Sequence, residues 1–156
     1  VTASLWAEYV RAHPEHADEQ PPVEAFGDSP AMADELLALV LAGTKRATAG
    51  LVAAYEHDGD ALPAEGDHWV VLDGTGVARA VLRSREIRIG RLDSVDEQFA
   101  RDEGEGDLTL QWWLDAHRAF FGREVERCGI ATPDGLDALD VLFERFVVVW
   151  PPEVAD

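Results

Sequence analysis

The sequence predicts an α+β fold in which helices flank and interrupt one mostly antiparallel sheet, able to curl into a small β-barrel. Three observations carry that prediction. The hydrophobic period is helical around residues 30–42 and becomes alternating from Trp69 onward. The Gly74-Thr75-Gly76 turn joins two consecutive strand-like segments directly. An apolar stripe of Leu110, Trp113, Leu114, His117 and Phe121 marks one long helix late in the chain. The length of 156 residues suits a single domain over 1–156, and no linker or internal repeat divides it.

The elements follow in order. Ser4 to Ala12 reads as a short helix that turns Leu5 and Tyr9 inward and ends before Pro14. Residues 14–28 are polar, carry Pro21-Pro22 and read as a long connection. Ser29-Pro30 supplies a cap followed by proline in the first turn, and Gly43 supplies the stop. Ala47 to Glu56 is alanine-rich and predicts a second helix despite Gly50. Trp69 to Asp73 and Val77 to Ile89 are strands, with a bulge expected near Ser84 where the alternation slips. Ser94-Val95-Asp96-Glu97 has the form of a capping box. Thr109 to Arg127 is the longest helix, with Asp107 as its expected cap, and Leu139 to Trp150 is a closing strand.

Composition excludes several classes of function. A formal net charge of -18 argues against sequence-blind binding to duplex DNA, which requires a basic face. It leaves room for a small positive pocket that takes one nucleotide or a short RNA loop. The longest apolar run, Leu36 to Ala42, is too short to span a bilayer, so no membrane partner is expected. The opening Val1-Thr2-Ala3-Ser4 lacks a leader pattern, and the one cysteine, Cys128, fits a reducing compartment. A cytoplasmic location is therefore expected.

Lys45 is the one lysine in a chain with twelve arginines, and it stands in Gly43-Thr44-Lys45-Arg46-Ala47-Thr48. A desolvated lysine can lose its proton, which arginine does not do. A lysine beside a threonine hydroxyl can activate it as a nucleophile, and a charged lysine can instead hold a carbonyl oxygen or a phosphate. Lys45 and Thr48 share a face only on a helical turn. Glu103-Gly104-Glu105-Gly106-Asp107 crowds three carboxylates, an arrangement that tunes one of them for acid or base work or else forms a solvated turn. It does not match the EF-hand pattern. His117 lies one turn after Trp113, the position of a satisfied core histidine as well as of a ligand contact. His13 and His16 have no further ligand marked out beside them, so no zinc, other metal or cofactor is expected.

These pieces together resemble the ASCH family (ASC-1 homology domains), related to PUA RNA-binding domains, and in particular its larger bacterial subgroup. The resemblance rests on Gly43-x-Lys45-x-x-Thr48, Phe26-Gly27-Asp28, Gly66-Asp67, the Glu103 to Asp107 run with Leu110, Trp112, His117 and Phe120-Phe121 after it, and Glu144-Arg145-Phe146. It covers roughly residues 20–150. It implies a PUA-like barrel and a cleft for a nucleoside or RNA-derived ligand. Two activities follow from it: hydrolysis of N4-acylcytidine-like nucleoside amides, or RNA binding or ribonuclease action without amidohydrolase activity. It implies Lys45, Thr48 and Glu103 as the catalytic set, with Glu105 the competing carboxylate. Arg46, Glu105, Asp107, Trp112 and His117 are the implied substrate contacts, and the implied partners are a small nucleoside or short single-stranded RNA.

Overall fold

A computed structural model describes residues 2–156, with side chains from Leu5 onward. Five α-helices are present among the described residues: α1 (Thr2–Ala12), α2 (Pro30–Leu41), α3 (Val52–Asp58), α4 (Glu97–Glu103) and α5 (Leu110–Cys128). Five strands, β1 (Val23–Ala25), β2 (Ala47–Leu51), β3 (His68–Leu72), β4 (Ala78–Arg91) and β5 (Asp140–Trp150), lie in the order β1-β3-β4-β5-β2. The β3–β4 and β2–β5 pairs are antiparallel, and the short β1 runs parallel to β3. The fold class is α+β, as the sequence predicts.

Two compact units divide the chain. The first comprises, among the described residues, 2–45, 65–85 and 146–156. Its interior is built from Phe26, Leu37, Val40, Val71, Leu82 and Phe146, with a smaller cluster of Tyr9, Val70, Ala78 and Val81. Helix α2 begins where expected: the Ser29 hydroxyl accepts the Met32 amide at 3.2 Å, and Pro30 occupies the first turn. The β3–β4 turn is wound around Asp73, whose carboxylate accepts the Thr75 and Val77 amides at 2.9 and 3.0 Å. The bulge falls at Arg79, because Val71 pairs with Ala80 and Leu72 with Ala78. It does not fall near Ser84, where the ladder stays regular: the Ser84 amide donates to the Asp67 carbonyl at 2.8 Å.

The second unit comprises residues 46–64 and 86–145. Its interior holds Leu51, Leu92, Phe99, Trp113, Phe121, Val141 and Phe143. The helix expected over 47–56 is split. Residues 47–51 form β2 against β5, and the helix starts only at Val52. Alanine-rich composition favours a helix weakly, and a ladder to a long closing strand overrides it. Gly50 also has a packing reason, since a Cβ there would meet the Tyr55 ring at 2.9 Å. Two caps differ from expectation by two residues each. Asp96, not Ser94, accepts the Phe99 amide at the start of α4, and Thr109, not Asp107, accepts the Trp112 amide at the start of α5.

Candidate functional site

The site is built most completely in the second unit, around the end of α4. The last residue of that helix, Glu103, is buried although it carries a carboxylate, and Gly104 follows in the left-handed conformation that stops the helix. The preceding residue anchors the helix end. The Asp102 carboxylate accepts the Arg145 guanidinium at 2.9 Å, and its carbonyl accepts the Arg46 amide at 2.8 Å. Arg145 is shared with Glu86 at 2.9 Å. Burial works against its charge, and its hydrogen bonds to Asp102 and Glu86 reverse that effect and raise its pKa.

Helix α5 brings the other half of the array. Trp113 and His117 are one turn apart and stack with ring centroids 3.8 Å apart. The His117 Nδ1–H donates to the Trp113 carbonyl at 2.9 Å, which fixes the ring and turns Nε2 toward Glu103 Oε2, 3.0 Å away. The Trp113 indole N–H donates to the same carboxylate oxygen. Because the carbonyl takes the Nδ1 proton, Nε2 is the nitrogen that titrates. Burial alone would depress the His117 pKa, but the Glu103 charge and hydrogen bond, with a contribution from Glu105, outweigh it and raise the value. Glu103 therefore favours the protonated form of the buried imidazole.

The acidic run after α4 divides in its roles. Glu105 lies with Glu103 and His117, all three presenting polar atoms within 4.8 Å of one another. Asp107 is exposed and accepts the Thr109 hydroxyl and amide at 2.6 and 3.0 Å, hydrogen bonds that lower its pKa. It shapes the turn before α5. Gly106 lies on the Trp112 indole, where a Cβ would meet the ring at 2.1 Å, so the chain's own packing accounts for a glycine at that position. Trp112 is partly buried.

The motif residues behave differently from a helical pair. Lys45 closes the first unit in an irregular segment after α2, with its amide donating to the Leu39 carbonyl at 3.1 Å. It is only 1% exposed, and its ammonium lies 5.4 Å from the centre of the Phe26 ring. Thr48 belongs to β2, directly opposite Glu144 of β5. The helical spacing argument for Lys45 and Thr48 therefore does not apply, because the segment is not helical. Thr48 and Glu144 share the sheet face opposite to that of Phe143, which packs on Trp113. Glu144, 3% exposed, is a buried acid that the sequence reading did not single out as a site residue. Its signal was there: a carboxylate set in the apolar run Val141-Leu142-Phe143 before Phe146.

The profile of the ASCH domain family matches residues 23–150, and the chain belongs to that family. Two crystal structures share its fold across nearly the full length. An ASCH domain from Lactobacillus crispatus is 27% identical, with a TM-score of 0.84 over 96% of this chain and 94% of that one. A protein of Enterococcus faecalis assigned to DUF984 is 28% identical, with a TM-score of 0.81 over 95% of this chain and 87% of that one. No curated protein matches the sequence. No helix among the described residues is long and apolar enough to cross a membrane.

Proposed function

We propose that this ASCH domain takes a small nucleoside or RNA-derived ligand and hydrolyses an acylated, N4-acylcytidine-like nucleoside amide. Lys45, Thr48 and Glu103 are the reacting groups in this reading. The observation that supports it most is the buried Glu103 carboxylate, whose Oε2 lies 3.0 Å from His117 Nε2 and accepts the Trp113 indole N–H. A carboxyl held this way can give a proton to a leaving amine and recover it from the imidazole. The burial of Lys45 adds support, since a desolvated amine can act as a base.

In this mechanism the Thr48 hydroxyl attacks the acyl carbon, and Lys45 activates it by taking its proton or stabilises the oxyanion. The C–N bond breaks as Glu103 protonates the departing nitrogen. Water then cleaves the acyl-threonine ester, releasing a carboxylic acid and the unmodified nucleoside. The net reaction consumes one water. Glu105 and Arg46 contribute contacts to the ligand.

The test is a turnover assay of purified protein with N4-acetylcytidine, beside binding assays with short single-stranded RNA and with duplex DNA. We expect turnover that Lys45→Ala and Glu103→Gln each reduce at least about 100-fold in kcat/KM. Lys45→Arg is expected to fall nearly as far, because a guanidinium supplies charge without a titratable amine. Full activity in the arginine variant would reduce Lys45 to an electrostatic contact. RNA binding without turnover would put an RNA-binding module in place of the hydrolase, and RNA cleavage would put a ribonuclease there. Duplex DNA is expected to show no appreciable binding at physiological salt, given the net charge of -18.

A further inference from the structure

A second cluster of ionisable side chains lies in the first unit and includes none of the proposed reacting groups. His16 ends a short 3-10 turn (Pro14–His16), Glu19 follows in the connection, and His68 is the first residue of β3. From the sequence no zinc is expected, because His13 and His16 have no further ligand marked out beside them. The fold supplies one, from 49 residues beyond Glu19. Glu19 spans the two imidazoles, with Oε1 2.7 Å from His16 Nδ1 and Oε2 2.8 Å from His68 Nδ1. One ligand atom from each of the three residues lies within 4.8 Å of the other two.

We propose that His16, Glu19 and His68 form a binding site for a divalent transition cation of the zinc type, with solvent completing the coordination. The donor set argues for that class. Two imidazole nitrogens and one carboxylate oxygen suit zinc and its neighbours, whereas calcium and magnesium prefer oxygen alone. The spacing is close to what is required. Ligands about 2.0–2.1 Å from a tetrahedral ion sit roughly 3.3 Å from one another, so the two short contacts need to open by about half an ångström. The movable partners can supply that, because the side chains of His16 and Glu19 are 25% and 40% exposed while His68 is enclosed.

The surroundings also fit a metal ligand at His68. The Tyr9 hydroxyl lies 3.0 Å from His68 Nε2, the outer hydrogen bond that fixes the tautomer and orientation of a ligating imidazole. Without an ion His68 Nδ1–H donates to Glu19; a cation displaces that proton, leaves Nε2–H to donate to the Tyr9 hydroxyl, and takes the Nδ1 lone pair. Burial also lowers the His68 pKa, which keeps the ring neutral and able to coordinate. Tyr9 and His16 stack with centroids 5.8 Å apart at 13°, which limits the swing of the His16 ring. Arg83 opposes a cation electrostatically and Glu15 favours one, its carboxylate 3.8 Å from His16 Nε2. An ion here would tie the segment around residues 16–19 to β3 and stabilise the first unit by binding only the folded state.

The test uses the metal-stripped full chain, titrated with Co²⁺ by visible absorption and with Zn²⁺ by calorimetry. We expect one equivalent to bind with micromolar affinity or better, to give the d–d bands of a tetrahedral or five-coordinate ion, and to raise Tm. His16→Ala and Glu19→Ala, both at partly exposed positions, are each expected to weaken binding at least about 10-fold, the least that partners of a metal site command. Cys128→Ser guards against the other cluster that holds a thiol, His57, Asp58 and Cys128, and is expected to change nothing. Absence of saturable binding at micromolar metal would overturn the proposal. So would binding that survives both His16→Ala and Glu19→Ala, or binding that Cys128→Ser removes.

Discussion

Two buried histidines, one in each unit, are bonded to a glutamate and respond in opposite ways. His68 Nδ1 lies 2.8 Å from Glu19, and His117 Nε2 lies 3.0 Å from Glu103. Burial lowers the His68 pKa and the Glu19 bond does not recover it, whereas Glu103 lifts His117 above its ordinary value. The difference lies in the carboxylate. Glu19 is 40% exposed, so water screens its charge, and His16 and Arg83 add positive charge nearby. The Glu103 side chain is 2% exposed, and Glu105 adds a second negative charge. The other ring nitrogen matters as well. The Trp113 carbonyl can only accept, so it holds a proton on His117 Nδ1, while the Tyr9 hydroxyl can donate or accept and tolerates a neutral His68. Burial of a histidine therefore does not set its charge; the solvation of its partner does.

The largest expected effect comes from neutralising the two glutamates in turn. Glu103→Gln keeps the shape but strips the buried imidazole of its counter-charge, and it is expected to destabilise folding by about 3 kcal/mol. Glu19→Gln alters a half-exposed carboxylate and is expected to cost under about 1 kcal/mol. Urea unfolding of both variants at neutral pH measures the gap, through the midpoint at constant slope. Equal losses would break the comparison, because they would mean that exposure of the carboxylate has no bearing on either pair.

Proton linkage gives a second, smaller difference, opposite in sign for the two rings. The folded-state pKa of His117 is raised, so its contribution to stability is present below the unfolded value of about 6.5 and fades as pH rises through the folded value. The folded-state pKa of His68 is lowered, so the native state resists its protonation. Its contribution stands above about pH 6.5 and is lost as pH falls toward the folded value. NMR titration of the ring Cε1–H signals is expected to place His117 above and His68 below the ordinary histidine range. A common midpoint for both would remove the contrast.

The sequence made the two regions unequally legible. The cap at Ser29, the turn at Gly74 to Gly76 and the long helix after Thr109 are local signals, written in residues that bond to near neighbours. His117 and Trp113 are four residues apart on one helix, so their adjacency could be read from spacing alone. The crowded run 103–107 marks Glu103 as one of three candidate carboxylates and the family resemblance points to it, but its partnership with the Trp113 indole N–H exists only through the placing of α4 against α5. The region 47–51 misled because its alanines and glycine speak weakly for any state, and its strand exists through pairing with the distant β5. The His16–Glu19–His68 cluster was illegible for a different reason. Nothing near residue 16 in the sequence signals that β3 will deliver an imidazole, and His68 precedes an ordinary-looking strand.

The smallest expected effect is that of Tyr9→Phe, and it sharpens the comparison most finely. The substitution keeps the ring that packs with Val70, Ala78 and Val81 and removes only the hydroxyl facing His68 Nε2. Nδ1 continues to donate to Glu19, so Nε2 is left as a buried acceptor without its partner, at a cost of about 1 kcal/mol. No side-chain substitution can do the same to His117, whose Nδ1 is held by a backbone carbonyl. The His68 midpoint is expected to stay below the ordinary range in the variant, because burial, the leading cause of its depression, is unchanged. Urea unfolding gives the energy and the ring Cε1–H titration gives the midpoint. If the midpoint instead climbs to the ordinary value, the tyrosine hydroxyl was holding the ring neutral. The contrast between the two histidines would then rest on their outer hydrogen bonds and not on the solvation of their glutamates.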